Sequence, residues 1–103
     1  MAKLRYLAQA VDDLIAIKRY VAIKSGDRQT ALRFVSRLRE QCRRLAELPG
    51  ELGRSRPELR ENLRSFAFGN YVIFFTYTGE YVDIVTIIEG HRDIPELFED
   101  RSP

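Results

Sequence analysis

Between Leu63 and Gly90 the chain alternates with a period of two, and it is apolar on both of the faces this alternation defines. The segments read "LRSFAF", "YVIFFTYT" and "YVDIVTIIEG", separated by Gly69-Asn70 and Gly79-Glu80, dipeptides suited to tight hairpin turns. An antiparallel meander follows from that spacing. Successive side chains on a strand point to opposite sides, so Tyr71, Ile73, Phe75 and Tyr77 share one face and Val72, Phe74 and Thr76 the other. In the next strand Val82, Ile84 and Ile88 form one set, and Val85 and Ile87 the other, with Asp83 breaking the latter. A sheet covered on one side only would alternate apolar with polar residues. This one needs two covers.

One cover is legible upstream. Residues 3 to 8 form a short strand leading into a first helix, whose opening turn carries Asp12 and Asp13 and whose stripe is Ala10, Leu14, Ile17 and Val21. "KSGD" ends it, with Gly26 free to turn left-handed and Asp27 placed to cap a second helix. In that helix Ala31, Phe34/Val35, Leu38, Cys42, Leu45 and Leu48 recur three or four apart, and Pro49 in "LPG" stops it. An irregular loop to about Glu61 comes next, and Pro95 opens a short C-terminal helical turn. The order β-α-α-β-β-β-(α) predicts an α+β fold, a single domain over 1–103 in which a helical hairpin packs on an antiparallel three- to four-stranded sheet.

Two helices cover one face. The other falls to the tail around Leu97 and Phe98, to a second copy, or to a partner segment; the partner reading makes Tyr71, Ile73, Phe75, Val82 and Ile84 the exposed, partner-binding set.

The 103 residues hold 45% hydrophobic and 31% charged side chains, a globular composition with room for one core. A net charge of +2 does not announce a polyanion ligand, but its distribution is uneven. Residues 28–64 contain ten arginines against five glutamates, and Arg54, Arg56 and Arg60 stud a polar loop suited to an acidic or DNA-bound target. Cys42 is alone, which excludes an intrachain disulfide and fits a reducing compartment. The N-terminus lacks the apolar centre of a signal peptide, and no run approaches the ~18 apolar residues of a membrane span, so a soluble cytoplasmic protein is expected.

Signatures of chemistry are sparse. His91 has no metal-ligating companion at a recognised spacing, and no glycine-rich phosphate loop is present, so neither a metal nor a cofactor is expected. A metal-free nuclease needs only cations to hold a phosphate and a group to move a proton, and Arg64, His91 and Arg92 are the candidates for those catalytic roles.

Taken in order, "AVDDLIAIKRYVA", "LAELPGELGRSRPEL", "LRSFAFGNYVIFF" and "VDIVTIIEGHRDIPELF" resemble the ParE toxins of the RelE/ParE superfamily across residues 4 to 98. The resemblance implies two N-terminal helices on an antiparallel sheet and a place as the toxin half of a bacterial type II toxin–antitoxin module. It also implies a hetero-oligomer with a ParD-like antitoxin whose C-terminal segment wraps around the toxin. DNA gyrase is the target it implies, with operator DNA reached only indirectly through the antitoxin.

The RelE branch of the superfamily instead cleaves messenger RNA on the ribosome. Its members tend to carry an arginine after the aromatic of the central strand, another near the end of the last strand, and a C-terminal tyrosine. Here those positions read Val72, Arg92 and Phe98. Valine cannot hold a phosphate and phenylalanine cannot exchange a proton, so the departure favours the non-enzymatic ParE branch over a ribosome-dependent endoribonuclease.

Overall fold

The computed structural model describes residues 2–90, 92 and 94–100. Strand β1 (Lys3–Tyr6) leads through Leu7 into helices α1 (Ala8–Ser25) and α2 (Arg28–Glu47). The chain then forms β2 (Arg54–Ser55), β3 (Arg64–Phe68), β4 (Tyr71–Thr78), β5 (Tyr81–Glu89) and α3 (Ile94–Asp100). The helix junction follows its chemistry. Gly26 adopts φ 68° and returns its N–H to the Ala22 carbonyl, while the Asp27 carboxylate accepts from the Gln29 N–H at 3.1 Å and the Thr30 hydroxyl at 2.7 Å. Leu48 caps α2 in an extended conformation and is 46% exposed, so it leaves the stripe in which its spacing had placed it.

The sheet has five strands in the order β1-β5-β4-β3-β2 and is mixed, where an antiparallel sheet of three or four strands is expected from the meander alone. β1 lies parallel to β5 with Lys3 opposite Tyr81 and Tyr6 opposite Ile84. The two helices between β1 and the meander give the chain the length of connection that parallel pairing requires. Arg5 fastens this pairing from the side away from the helices: its guanidinium donates twice to Asp83, at 2.6 and 3.0 Å, and lies 3.6 Å from the Tyr81 ring centre. β2, within the loop, adds only two pairs to β3, and its Arg-Ser sequence carries no apolar alternation.

A β-bulge changes the faces of β5. Phe74 stands opposite Thr86 and Phe75 opposite Ile84, leaving Val85 as the extra residue. Ile87 therefore rejoins Val82 and Ile84 on the helix side, and Ile88 joins Val85 on the other, reversing the grouping that strict alternation gives. α1 supports the irregularity with Asp13. This residue is buried in the second turn rather than capping the first, and its carboxylate accepts from the Thr86 hydroxyl and, at 3.0 Å, from the Ile87 N–H.

Both faces are covered by the chain itself. On the helix side Leu14, Ile17, Leu38, Cys42 and Leu45 pack on Ile73, Phe75, Val82, Ile84 and Ile87. On the other side Leu63, Phe74, Val85, Ile88 and Phe98 form a second cluster, flanked by Leu59, Val72, Ile94 and Leu97. The Phe98 ring stands edge-on to Phe74 with centroids 4.7 Å apart. The set read as partner-facing is thus mostly interior: Ile73, Phe75, Val82 and Ile84 are 0% exposed, and Tyr71 is half-buried against Phe34. The shortage of cover inferred from two helices is met by α3 and the segment preceding β3.

Candidate functional site

Of the three side chains proposed for phosphate chemistry, the two among the described residues, Arg64 and Arg92, do not converge. Arg64 donates from Nε to the Leu52 carbonyl at 2.8 Å and from Nη2 to the Gly53 carbonyl at 3.1 Å, with Glu51 3.9 Å from its Nη1. It pins the loop after α2 to β3. Arg92 is exposed just beyond β5 and lines a cleft with Asp13, Tyr20, Tyr71 and Glu89. Arg64 on β3 is level with Phe75 and Glu89 on β5 with Tyr71, an offset of four residues, roughly 13 Å along β4 at ~3.3 Å per residue, so Arg64 and the end of β5 that leads to Arg92 stand at different levels and on opposite sides of that strand. His91 lies outside the described residues. Phe98 is core, and among the described residues no cluster of His, Cys, Asp and Glu could hold a metal ion.

The basic loop divides in two. Arg54 is exposed on β2. Arg56 instead donates to Glu58 at 2.7 Å and to the Ser65 hydroxyl at 3.3 Å, and sits 5.8 Å from the Phe74 ring centre. The hydrogen bond from Arg56 holds the Glu58 carboxyl below its usual range. Arg60 lies 5.3 Å from the Phe98 ring centre with its Nη2 enclosed and without a hydrogen-bond partner among the described residues. Arg56 and Arg60 therefore roof the second cluster through cation–π contact instead of waving in solvent.

The apolar surface that remains open is on the helical hairpin. Leu7, Val11, Ile15 and Leu32 are 41%, 43%, 55% and 38% exposed. Ile15, Lys18, Leu32, Val35, Arg39 and Arg43 line a groove of ≈ 390 Å³ between the outer faces of α1 and α2. Residue spacing missed this site although the signal is present: Leu7, Val11 and Ile15 repeat every four positions, a second apolar stripe on a helix whose first stripe already accounts for the core. Arg39 also reaches across β1, 5.1 Å from the Tyr6 ring centre. Beneath that ring the Cys42 thiol is fully buried, and burial pushes it up to about 11, an inert thiol.

No helix among the described residues is long and apolar enough to cross a membrane. The family model of the ParE toxin of the type II toxin–antitoxin system parDE matches residues 4–94. Among solved structures, a chain of the chromosomal ParDE toxin–antitoxin system from P. aeruginosa superposes with a TM-score of 0.74 at 24% identity, covering 86% of this chain and 96% of that one. No curated protein matches. The superposition shows the shared fold, and the family match spans nearly all of the helical hairpin and sheet. The chain belongs to the ParE toxin family of type II toxin–antitoxin systems.

Proposed function

We propose that this toxin acts in the cytoplasm by blocking DNA gyrase without chemistry of its own, and that a ParD-like antitoxin silences it by laying an amphipathic segment into the α1–α2 groove. The family match over residues 4–94 carries the reading. Support for the docking mode comes from the groove, which offers Ile15, Leu32 and Val35 as an apolar floor and Lys18, Arg39 and Arg43 as a cationic rim. A helix with apolar and acidic side chains is the complementary occupant. Support for a non-catalytic mode comes from Arg64, whose guanidinium is spent on the Leu52 and Gly53 carbonyls, and from Phe98, which is packed where an acid–base group would be needed. For the target, Arg54 is the exposed arginine of the loop and is suited to an acidic or DNA-bound surface.

Purified gyrase tests this. The toxin is expected to abolish supercoiling and to accumulate cleaved DNA complexes, and an equimolar ParD-like antitoxin to restore activity. The double substitution Ile15→Asp, Leu32→Asp should inhibit gyrase as before yet escape the antitoxin, and Arg92→Ala should behave as the parent. Unimpaired gyrase together with discrete cuts in translated messages would replace this reading with the nuclease one.

A further inference from the structure

α2 carries six arginines and two glutamates, a local +4, on a helix whose apolar stripe is turned into the core. The arginines fall on two flanks. Arg39 and Arg43 rim the groove already described. Arg33, Arg37 and Arg44 lie within about 40° of one another around the axis, roughly 120° from Leu32, Arg39 and Arg43 of the groove at 3.6 residues per turn. All three are exposed, and among the described residues none makes an ion pair; Arg33 donates only to the Thr30 hydroxyl, at 3.3 Å. Glu40, the acid nearest this flank, is drawn away by Arg43, which donates to it at 2.9 and 2.5 Å. The result is a row of exposed guanidinium groups about 16 Å long on one helix, of which Arg33 feels a nearby carboxylate, that of Asp27, while Arg37 and Arg44 have no ion-pair partner among the described residues.

We propose that Arg33, Arg37 and Arg44 form a contact surface for the phosphate backbone of duplex DNA. Planar, permanently charged forks suit phosphate oxygens, and duplex DNA presents a regular row of them at about one charge per 1.7 Å of axis. A single strand of RNA is the poorer fit, because such ligands are held by stacking bases on exposed aromatic rings. The one aromatic residue of α2, Phe34, is turned against Phe68 and Tyr71, with ring centroids 5.9 and 5.7 Å away. The row stands clear of the groove, so a segment docked there leaves it open. This surface rests on charge and exposure and is independent of the proposed gyrase target.

The test is fluorescence anisotropy of a labelled duplex of about 20 base pairs and arbitrary sequence, titrated with the full chain between about 50 and 200 mM salt. Three phosphate contacts predict a slope of about −2.7 in log K against log salt, a roughly 40-fold weakening across that range. The triple variant R33A/R37A/R44A, whose alanines favour the helix, should lose binding and flatten the slope while its circular dichroism and melting stay unchanged. R33K/R37K/R44K should retain most of the affinity, and R19A on α1 all of it. Wild-type affinity and slope in the alanine variant would overturn the proposal, as would the absence of salt-sensitive binding or tighter binding to a single-stranded RNA of equal length.

Discussion

Asp13 of α1 and Thr86 of β5 are joined by a buried hydrogen bond across 73 residues of sequence, and the same carboxylate accepts from the Ile87 N–H at 3.0 Å. The pair sits beside the extra residue of β5, where the ladder to β4 is interrupted. Helix and strand are therefore keyed to one register: slipping β5 by one residue would carry the hydroxyl and the N–H away from the acceptor. Gln9 holds the other carboxylate oxygen from the preceding turn, at 3.1 Å.

Removing that acceptor takes the Asp13 partner from the buried Ile87 N–H and from the Thr86 hydroxyl. Asp13→Ala is expected to lower the unfolding free energy by about 2–4 kcal/mol, and Asp13→Asn, which keeps one carbonyl oxygen, by about half as much. Urea unfolding monitored by circular dichroism measures both. Equal losses in the two variants would mean that the carboxylate's charge, rather than its acceptor role, supports the bulge.

Much of the architecture was legible because it is written in local signals. Gly26-Asp27 marks the hairpin turn, and the Ala10-Leu14-Ile17 and Ala31-Leu38-Cys42-Leu45 stripes mark what it buries. Gly69-Asn70 and Gly79-Glu80 bracket β4. The bulge was not legible, since one inserted residue in a strand that is apolar on both faces looks the same as regular alternation. Its consequence was large: it moved Ile87 and Ile88 to faces opposite those expected. Parallel pairing of β1 with β5 depends on contacts between the two ends of the chain, which spacing does not report. Nor does a run of arginines reveal which of them rest on rings, as Arg56 and Arg60 do, and which stand exposed, as Arg54 does.

The second cluster depends on α3. Phe98→Ala removes the ring packed edge-on to Phe74 and the surface under Arg60, and should cost about 3–5 kcal/mol, the usual range for a buried phenylalanine. Hydrogen exchange at the Val85 and Ile88 amides should accelerate, while that of Leu38 and Leu45 in α2 should respond only to the global loss. A stability change below about 0.5 kcal/mol would contradict the sealing of this face by the chain's own C-terminal helix.

Cys42 makes stability sensitive to alkali. Burial raises its thiol from 9.0 to about 11, and burial likewise raises the neighbouring Tyr6 phenol. A group whose folded pKa lies above its unfolded value stabilises the fold fully below the unfolded value and ceases to do so as pH climbs through the folded one. Stability should therefore hold to about pH 8.5 and then decline toward pH 11, by about 2–3 kcal/mol from the thiol alone. Cys42→Ala should remove that part of the decline while Tyr6 retains its own. Native toxin at pH 8 should also resist alkylation by iodoacetamide until denaturant is added.

Gly53 is where backbone conformation and space coincide. Its φ of 74° disfavours any side chain, and a methyl group added there would lie 2.5 Å from the Ser65 carbonyl oxygen and 3.0 Å from the Phe75 ring. Neither neighbour can yield easily: Ser65 pairs with both Arg54 and Phe74 in the sheet, Phe75 is core, and Arg64 holds the Gly53 carbonyl itself. Gly79, in the β4–β5 turn, has a similar φ of 59° but open space around it. Gly79→Ala thus measures the conformational term alone, about 1 kcal/mol, whereas Gly53→Ala should add the displacement of β2 from β3 and cost about 2–4 kcal/mol. Paired denaturation curves separate the two, and equal losses would show that the loop moves freely rather than being pinned by Arg64.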